Sequence, residues 1–180
     1  MSVLESAAKI LKDLIDPHKN PLHVGEVMSC WLYLAGLEEA KGYVESALST
    51  TVDSELIHAL KEDERVGKDQ RQRLKLFMLN EGVTLPPAPE PKPTSDPNNV
   101  PMGVKFTDDE IANALSIKIV ALIVNAATSS AQSIRTDVGL MFTEFQAEKM
   151  ILGANLKELM RKRGWLKVPP YYYPIGSNKS

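Results

Sequence analysis

Apolar residues recur at helical spacing along most of the chain, and one long stretch interrupts them. Val3, Leu4, Ala7, Ile10, Leu11, Leu14 and Ile15 form a single stripe, which predicts an amphipathic helix over residues 1–16, ended by Pro17 and Pro21. Such a stripe must bury against the main body or a partner chain. Val27, Trp31, Leu34, Leu37, Val44 and Leu48 predict a first long helix from about Leu22 to Leu48. Thr50-Thr-Val-Asp53 breaks it, and Asp53 suits the N-cap of a second helix that runs to about Asn80, with Gly82 as its stop. The second helix is apolar at its ends, through Leu56, Ile57, Leu60, Leu74, Phe77 and Met78. Its middle, Lys61 to Arg73, has Val66 as its one sizeable apolar side chain. Thr107-Asp-Asp-Glu110 is a capping box and opens a third helix to about Ser129. That helix is apolar nearly all round, which predicts burial on several sides. A fourth runs from about Thr136 to Gly164 on Met141, Phe145, Leu152, Leu156 and Leu159. The tail, residues 169–180, begins Pro169-Pro-Tyr-Tyr-Tyr-Pro174 and is expected to be extended.

The interrupting stretch, Val83 to Phe106, holds 24 residues, seven of them proline. A shift of 84 lays the first helical hairpin on the second: Glu26 falls on Glu110, Val27 on Ile111, Trp31 on Leu115, Asp53 on Asp137 and Glu64 on Glu148. After a drift of two, Met78 meets Met160 and Gly82 meets Gly164. Two hairpins make a four-helix bundle. Neighbouring antiparallel helices need only about 2–8 connecting residues. An extended connector of this length reaches about 70 Å at ~3.1 Å per residue, whereas a helix of this size is about 42 Å long. The expectation is therefore an all-α, ferritin-like four-helix bundle with a long crossover between the second and third helices. Residues 20–168 form the bundle, from hairpins 20–82 and 107–164 joined by the crossover 83–106.

Composition narrows the function more than the fold. Net charge is −2, so no basic field argues for nucleic acid. Cys30 is the single cysteine, which excludes an internal disulfide framework and fits a reducing compartment. No signal-peptide pattern opens the chain, and the longest strictly apolar run, Ile119 to Val124, is too short to span a bilayer. These features point to the cytoplasm, with no transmembrane segment. No P-loop, Gly-x-Ser-x-Gly or metal-binding cysteine pair is present, and no catalytic residue is assigned.

A ferritin-like bundle raises the question of a metal. Two-metal members place a Glu on two helices and Glu-x-x-His on the other two. With the first turn near residue 51, positions on the first two helices that face each other sum to about 102, so Glu38 faces Glu64, and Glu148 matches Glu64 in the second half. These three carboxylates are the metal candidates, suited to a single hard or borderline ion, with a relic polar layer as the other reading. The motif is incomplete: Gly67 and Ile151 stand where histidines would be, and Leu122 matches Glu38. Lys41 is placed to neutralise a buried carboxylate without metal. Glu55-Leu-Ile-His58 has ligand spacing but lies near a helix start, where surface exposure is the simpler reading. His23-Val-Gly-Glu26 aligns with Thr107-x-x-Glu110, so capping explains Glu26. Cys30 is expected to be a buried structural thiol.

Leu22-His-Val-Gly-Glu26, Gly103-Val-Lys-Phe-Thr-Asp-Asp-Glu-Ile111 after the proline-rich connector, Phe145-Gln-Ala-Glu-Lys149, and the run from Leu156 through Gly164-Trp-Leu166 to Pro169-Pro-Tyr-Tyr-Tyr-Pro174 resemble an uncharacterised family of Bacillus-type, spore-forming bacteria. That family is similar to the spore coat protein F group and is often labelled putative spore coat protein. The resemblance covers about residues 20–174. It implies a ferritin-like bundle and a spore-coat association, and it supplies no catalytic residue. Relatives with two such domains in tandem imply self-association for this chain. The expected function is a structural or interaction protein of the sporulating cell, partnered by copies of itself or by other coat proteins. The alternative is a metal-binding or redox protein with a degenerate carboxylate site. A small-ligand carrier is a third reading, and it requires an apolar cavity between helices.

Overall fold

The structure, a computed structural model, describes residues 20–173. The expected N-terminal helix and most of the tail lie outside the described residues. Four helices account for the fold: α1 (Val24–Leu48), α2 (Ser54–Asn80), α3 (Asp108–Gln132) and α4 (Thr136–Arg163), with one 3-10 turn, Pro97–Asn99, in the connector. There is no strand among the described residues.

The helix ends follow from local chemistry. His23 and Thr107 each close a capping box with a glutamate three residues on. His23 Nδ1 accepts from the Gly25 amide at 2.9 Å, and Glu26 accepts in return from the His23 amide at 3.1 Å. Asp53 caps α2 by accepting from the Glu55 and Leu56 amides. Both α2 and α4 stop at a glycine with φ +73°, and the next amide reaches back to the last turn, Val83 to Met78 O and Trp165 to Met160 O. This closure needs the left-handed conformation that glycine adopts freely. A Cβ at Gly164 would meet nothing within 4 Å, so Gly164→Ala changes only the backbone cost. The expected loss is about 1 kcal/mol in urea unfolding. The helices α1 and α3 are each 25 residues long and begin 84 positions apart, as do their caps.

Two apolar clusters fix the wiring. One joins Leu34 and Leu37 of α1, Leu74 and Met78 of α2, Ala126 of α3 and Phe142 and Phe145 of α4, with Val83 and Leu85 laid against it. The other joins Val44, Leu56, Ile111, Leu115 and Met160, covered by Trp165 and Leu166. The C-terminus of α2 thus lies at one end of the bundle and the N-terminus of α3 at the other. The two helices run parallel on a diagonal, while α1–α2, α1–α3, α2–α4 and α3–α4 are the packed neighbours. The connector travels the bundle's length beside α1. Its Lys92 amide donates to Glu45 at 3.0 Å and its Ser95 amide to Ser49 Oγ at 3.4 Å. This is the ferritin-like crossover.

One expectation changes in three dimensions. The inner face of α3 is buried at Ile111, Leu115, Ile119 and Leu122. Its outer face is not, and Ile117, Val120 and Val124 are each more than half exposed. A helix at the corner of a four-membered bundle has only two neighbours to pack against. By length and composition alone α3 is also apolar enough to cross a bilayer, a test that the core helix of a soluble bundle passes too.

Candidate functional site

The buried stripe of α2 does not end where its apolar residues do. Leu56 and Leu60 are followed by Asp63, Gly67, Gln70 and Arg71 before Leu74 and Met78 resume. All lie on one helical face, so the stripe carries a polar layer into mid-bundle. Lys149 supplies the same in α4, in register with Phe142, Phe145 and Leu156.

Charge is matched throughout this layer. Lys149, only 1% exposed, donates through Nζ to Asp63 Oδ1 at 2.7 Å. Arg71 donates to Glu64 at 2.6 Å and to the Leu37 carbonyl at 3.3 Å, with its Nε 4.0 Å from Glu38. Lys75 forms a second ion pair with Glu38. Arg73 donates through Nη2 to both Glu148 carboxylate oxygens, at 2.6 and 2.7 Å, and lies over the Phe145 ring. Gln70 donates to Glu148 and to the Phe145 carbonyl, and accepts from the Tyr33 hydroxyl at 3.0 Å. Burial, then the charges of Glu148 and Asp63, hold the Tyr33 phenol above its ordinary pKa, so it stays a donor. Tyr33, Phe142 and Phe145 form an aromatic triad beside it, with centroids 5.5–6.1 Å apart.

The three candidate carboxylates are thereby placed. Glu38 and Glu64 do meet across α1 and α2, but through Arg71 between them. Glu148 is engaged by Arg73 and Gln70. Lys41, expected to neutralise a buried acid, pairs instead with Glu45 at 3.5 Å. Where the two-metal pattern would put a histidine, Gly67 lies close against the two cations: a Cβ there would lie 3.3 Å from Arg71 Nη1 and 3.9 Å from Lys149 Nζ. Ile151, at the second histidine position, is largely exposed. Among the described residues no group of three or more His, Cys, Asp or Glu side chains is arranged to hold a metal. The donor set does not fit a ferritin-like metal centre, because guanidinium and ammonium groups take the positions facing the carboxylates.

Asp63, Gln70, Arg71 and Lys149 were not among the sequence candidates. The signal was available: continuing the spacing of Leu56 and Leu60 toward Leu74 passes through 63, 67, 70 and 71. A polar run in a helix reads as solvated unless its register is followed.

A second polar cluster closes one end of the bundle. Glu26 Oε1 accepts from the Ile134 amide at 2.9 Å and the Arg135 amide at 2.7 Å, which ties the α3–α4 turn to the start of α1. The Arg135 guanidinium is buried, paired with Glu81 at 2.7 Å and Asp137 at 2.6 Å, and donates to the Asn20 carbonyl. Glu26 therefore caps α1 and braces the turn. Cys30 lies nearby, fully buried. Burial, and then Glu26, push its thiol up to about 12. An unfolded thiol ionises near 9, so stability is expected to fall as pH rises from about 9 to 12. At pH 8 a thiol reagent should modify Cys30 at least about a hundredfold more slowly in the folded chain than in urea.

Fold and interior together define a ferritin-like four-helix bundle whose mid-bundle layer is closed by ion pairs. The chain belongs to the family described as protein of unknown function (DUF3231), whose model matches residues 12–176. It is 31% identical over 157 residues to the uncharacterized protein YvdQ of Bacillus subtilis strain 168, covering 87% of this chain and 92% of that protein. It is similar to the crystal structure of a putative spore coat protein, BH2358, from Bacillus halodurans C-125. There the TM-score is 0.85 and identity 33%, over 88% of this chain and 100% of the other. A two-domain protein from Anabaena variabilis, containing DJ-1/ThiJ/PfpI-like and ferritin-like domains, matches at TM-score 0.63 and 13% identity. That match covers 96% of this chain and 53% of the other, and it speaks to the fold alone.

Proposed function

We propose that this chain is a non-catalytic packing unit of the spore coat, or of the cell that builds it, and that it associates with copies of itself. The outer face of α3 carries the reading. Ile117, Val120 and Val124 line that face and are exposed, and beyond its first turn the helix has one charged residue, Lys118. The Lys118 ammonium turns toward α1, donating to the Ala40 carbonyl at 3.2 Å and lying over the Tyr43 ring. The stripe is left free of charge along its length. A two-fold contact would lay one stripe on its copy and remove both from water. The name of the Bacillus halodurans relative supports the location, and the ion-paired interior supports a structural role over chemistry.

The test is expression of the tagged chain in a sporulating Bacillus. The native chain should extract with the coat fraction and sediment as an oligomer when purified. Ile117→Glu with Val124→Glu should remain folded, sediment as a monomer and leave the coat fraction. A native chain that is monomeric and absent from spores would overturn the reading. Partition of the purified chain into lipid vesicles would instead assign the α3 face to a membrane.

A further inference from the structure

Between α2 and α4, in the half of the bundle that holds the second apolar cluster, a cleft of about 550 Å³ opens to solvent. The mid-bundle layer draws the two helices together through Gln70, Arg73 and Glu148. Beyond it, Ala59 and Asn155 line the opening with short side chains, and the interior is reached. The floor is formed by Leu115, Ile119 and Leu156, all core residues. The rim is acidic. Of its four carboxylates, Glu55 is matched by Lys162 and Arg163, and Asp63 by Lys149. Glu62 meets only the exposed Arg65. Glu158, exposed on the α4 side of the rim, has no hydrogen bond or ion pair among the described residues. The volume lies within the usual range for small-molecule sites, and an apolar floor with a few polar groups is their usual make-up.

We propose that this cleft binds an amphipathic organic cation, an aliphatic ammonium whose tail rests on Leu115, Ile119 and Leu156 and whose head meets Glu158 and Glu62. Sign and shape both select it. An alkyl carboxylate would bring like charge to Glu158 and Glu62. A small inorganic cation would leave the leucine floor unused. An alkylammonium satisfies the unmatched carboxylate and covers the apolar surface together. The site is separate from the α3 face, so packing and ligand binding are independent properties.

The test is titration calorimetry of the full chain with octylammonium chloride, set against 1-octanol and sodium octanoate at the same concentrations. Saturable one-to-one binding is expected for the ammonium, at least about tenfold tighter than for either comparison. Glu62→Gln with Glu158→Gln, both on the surface, should remove that preference. Ala59→Phe should close the cleft to all three probes. No saturable binding of octylammonium overturns the proposal. So does equal binding of octanol that survives the double glutamine variant, which would make the cleft an unselective apolar cavity. Should Ala59→Phe fail to fold, the surface variant and the octanoate comparison still decide.

Discussion

Lys149→Met is expected to destabilise the bundle by about 3–5 kcal/mol, the usual result of removing one partner of a buried ion pair. The ammonium is almost wholly buried and meets Asp63 at 2.7 Å. Without it, Asp63 keeps a carboxylate in the interior with no cation of its own. At roughly 2–4 °C per kcal/mol for a chain of this size, the melting temperature should fall by about 10 °C. The second half of the prediction separates the pair's net worth from the penalty of breaking it. Asp63→Leu combined with Lys149→Met should recover most of the loss, because two apolar side chains of similar volume often match or exceed a buried pair. Urea unfolding of the two single variants and the double closes the cycle. A double variant as unstable as the sum of the singles would mean that the pair is held by the rest of the polar layer.

The second large effect is at the bundle's end. Arg135→Met is expected to cost about 3 kcal/mol, because it leaves Glu81 and Asp137 without their shared guanidinium. It also removes the bond to the Asn20 carbonyl, which fixes the chain's entry into α1. Arg135→Lys should rescue little, since a point charge cannot make paired contacts with two carboxylates. Hydrogen exchange adds a local readout. The Ile134 and Arg135 amides are held by Glu26, so Glu26→Gln should speed exchange at those two amides more than elsewhere. Uniform acceleration along all four helices would instead mean that the cluster does no more than add global stability.

Both predictions fall on residues that sequence reasoning passed over, and the reason is physical. Helix count, bounds and caps are written locally. Asp53, Thr107 and Glu110 announce helix starts because their side chains answer amides a few residues away, and Gly82 and Gly164 announce ends because a backbone conformation demands them. Charge pairing across helices is not local. Glu38 and Glu64 were legible as a facing pair because a tight turn sets antiparallel register. That Arg71 stands between them depends on which rotamers the packed helices allow. Nothing in its own segment marks Lys149 as buried, and only its partner 86 positions away makes it part of the core. Similarly, the sequence of α3 predicts burial on several sides because periodicity reports how apolar a face is, and not whether a neighbour covers it.

The sequence by itself determined that the chain is helical, that two helical hairpins are joined by a strap, and that the strap is long enough to run the length of the bundle. These conclusions rest on capping chemistry, apolar period and chain length, which are properties of short segments or of simple reach. Tertiary structure alone decided that the mid-bundle carboxylates are answered by Arg71, Arg73, Lys75 and Lys149. It also left the outer face of α3 bare and opened a leucine-floored cleft beside Glu158. Each of these depends on which side chains from distant segments share one small volume.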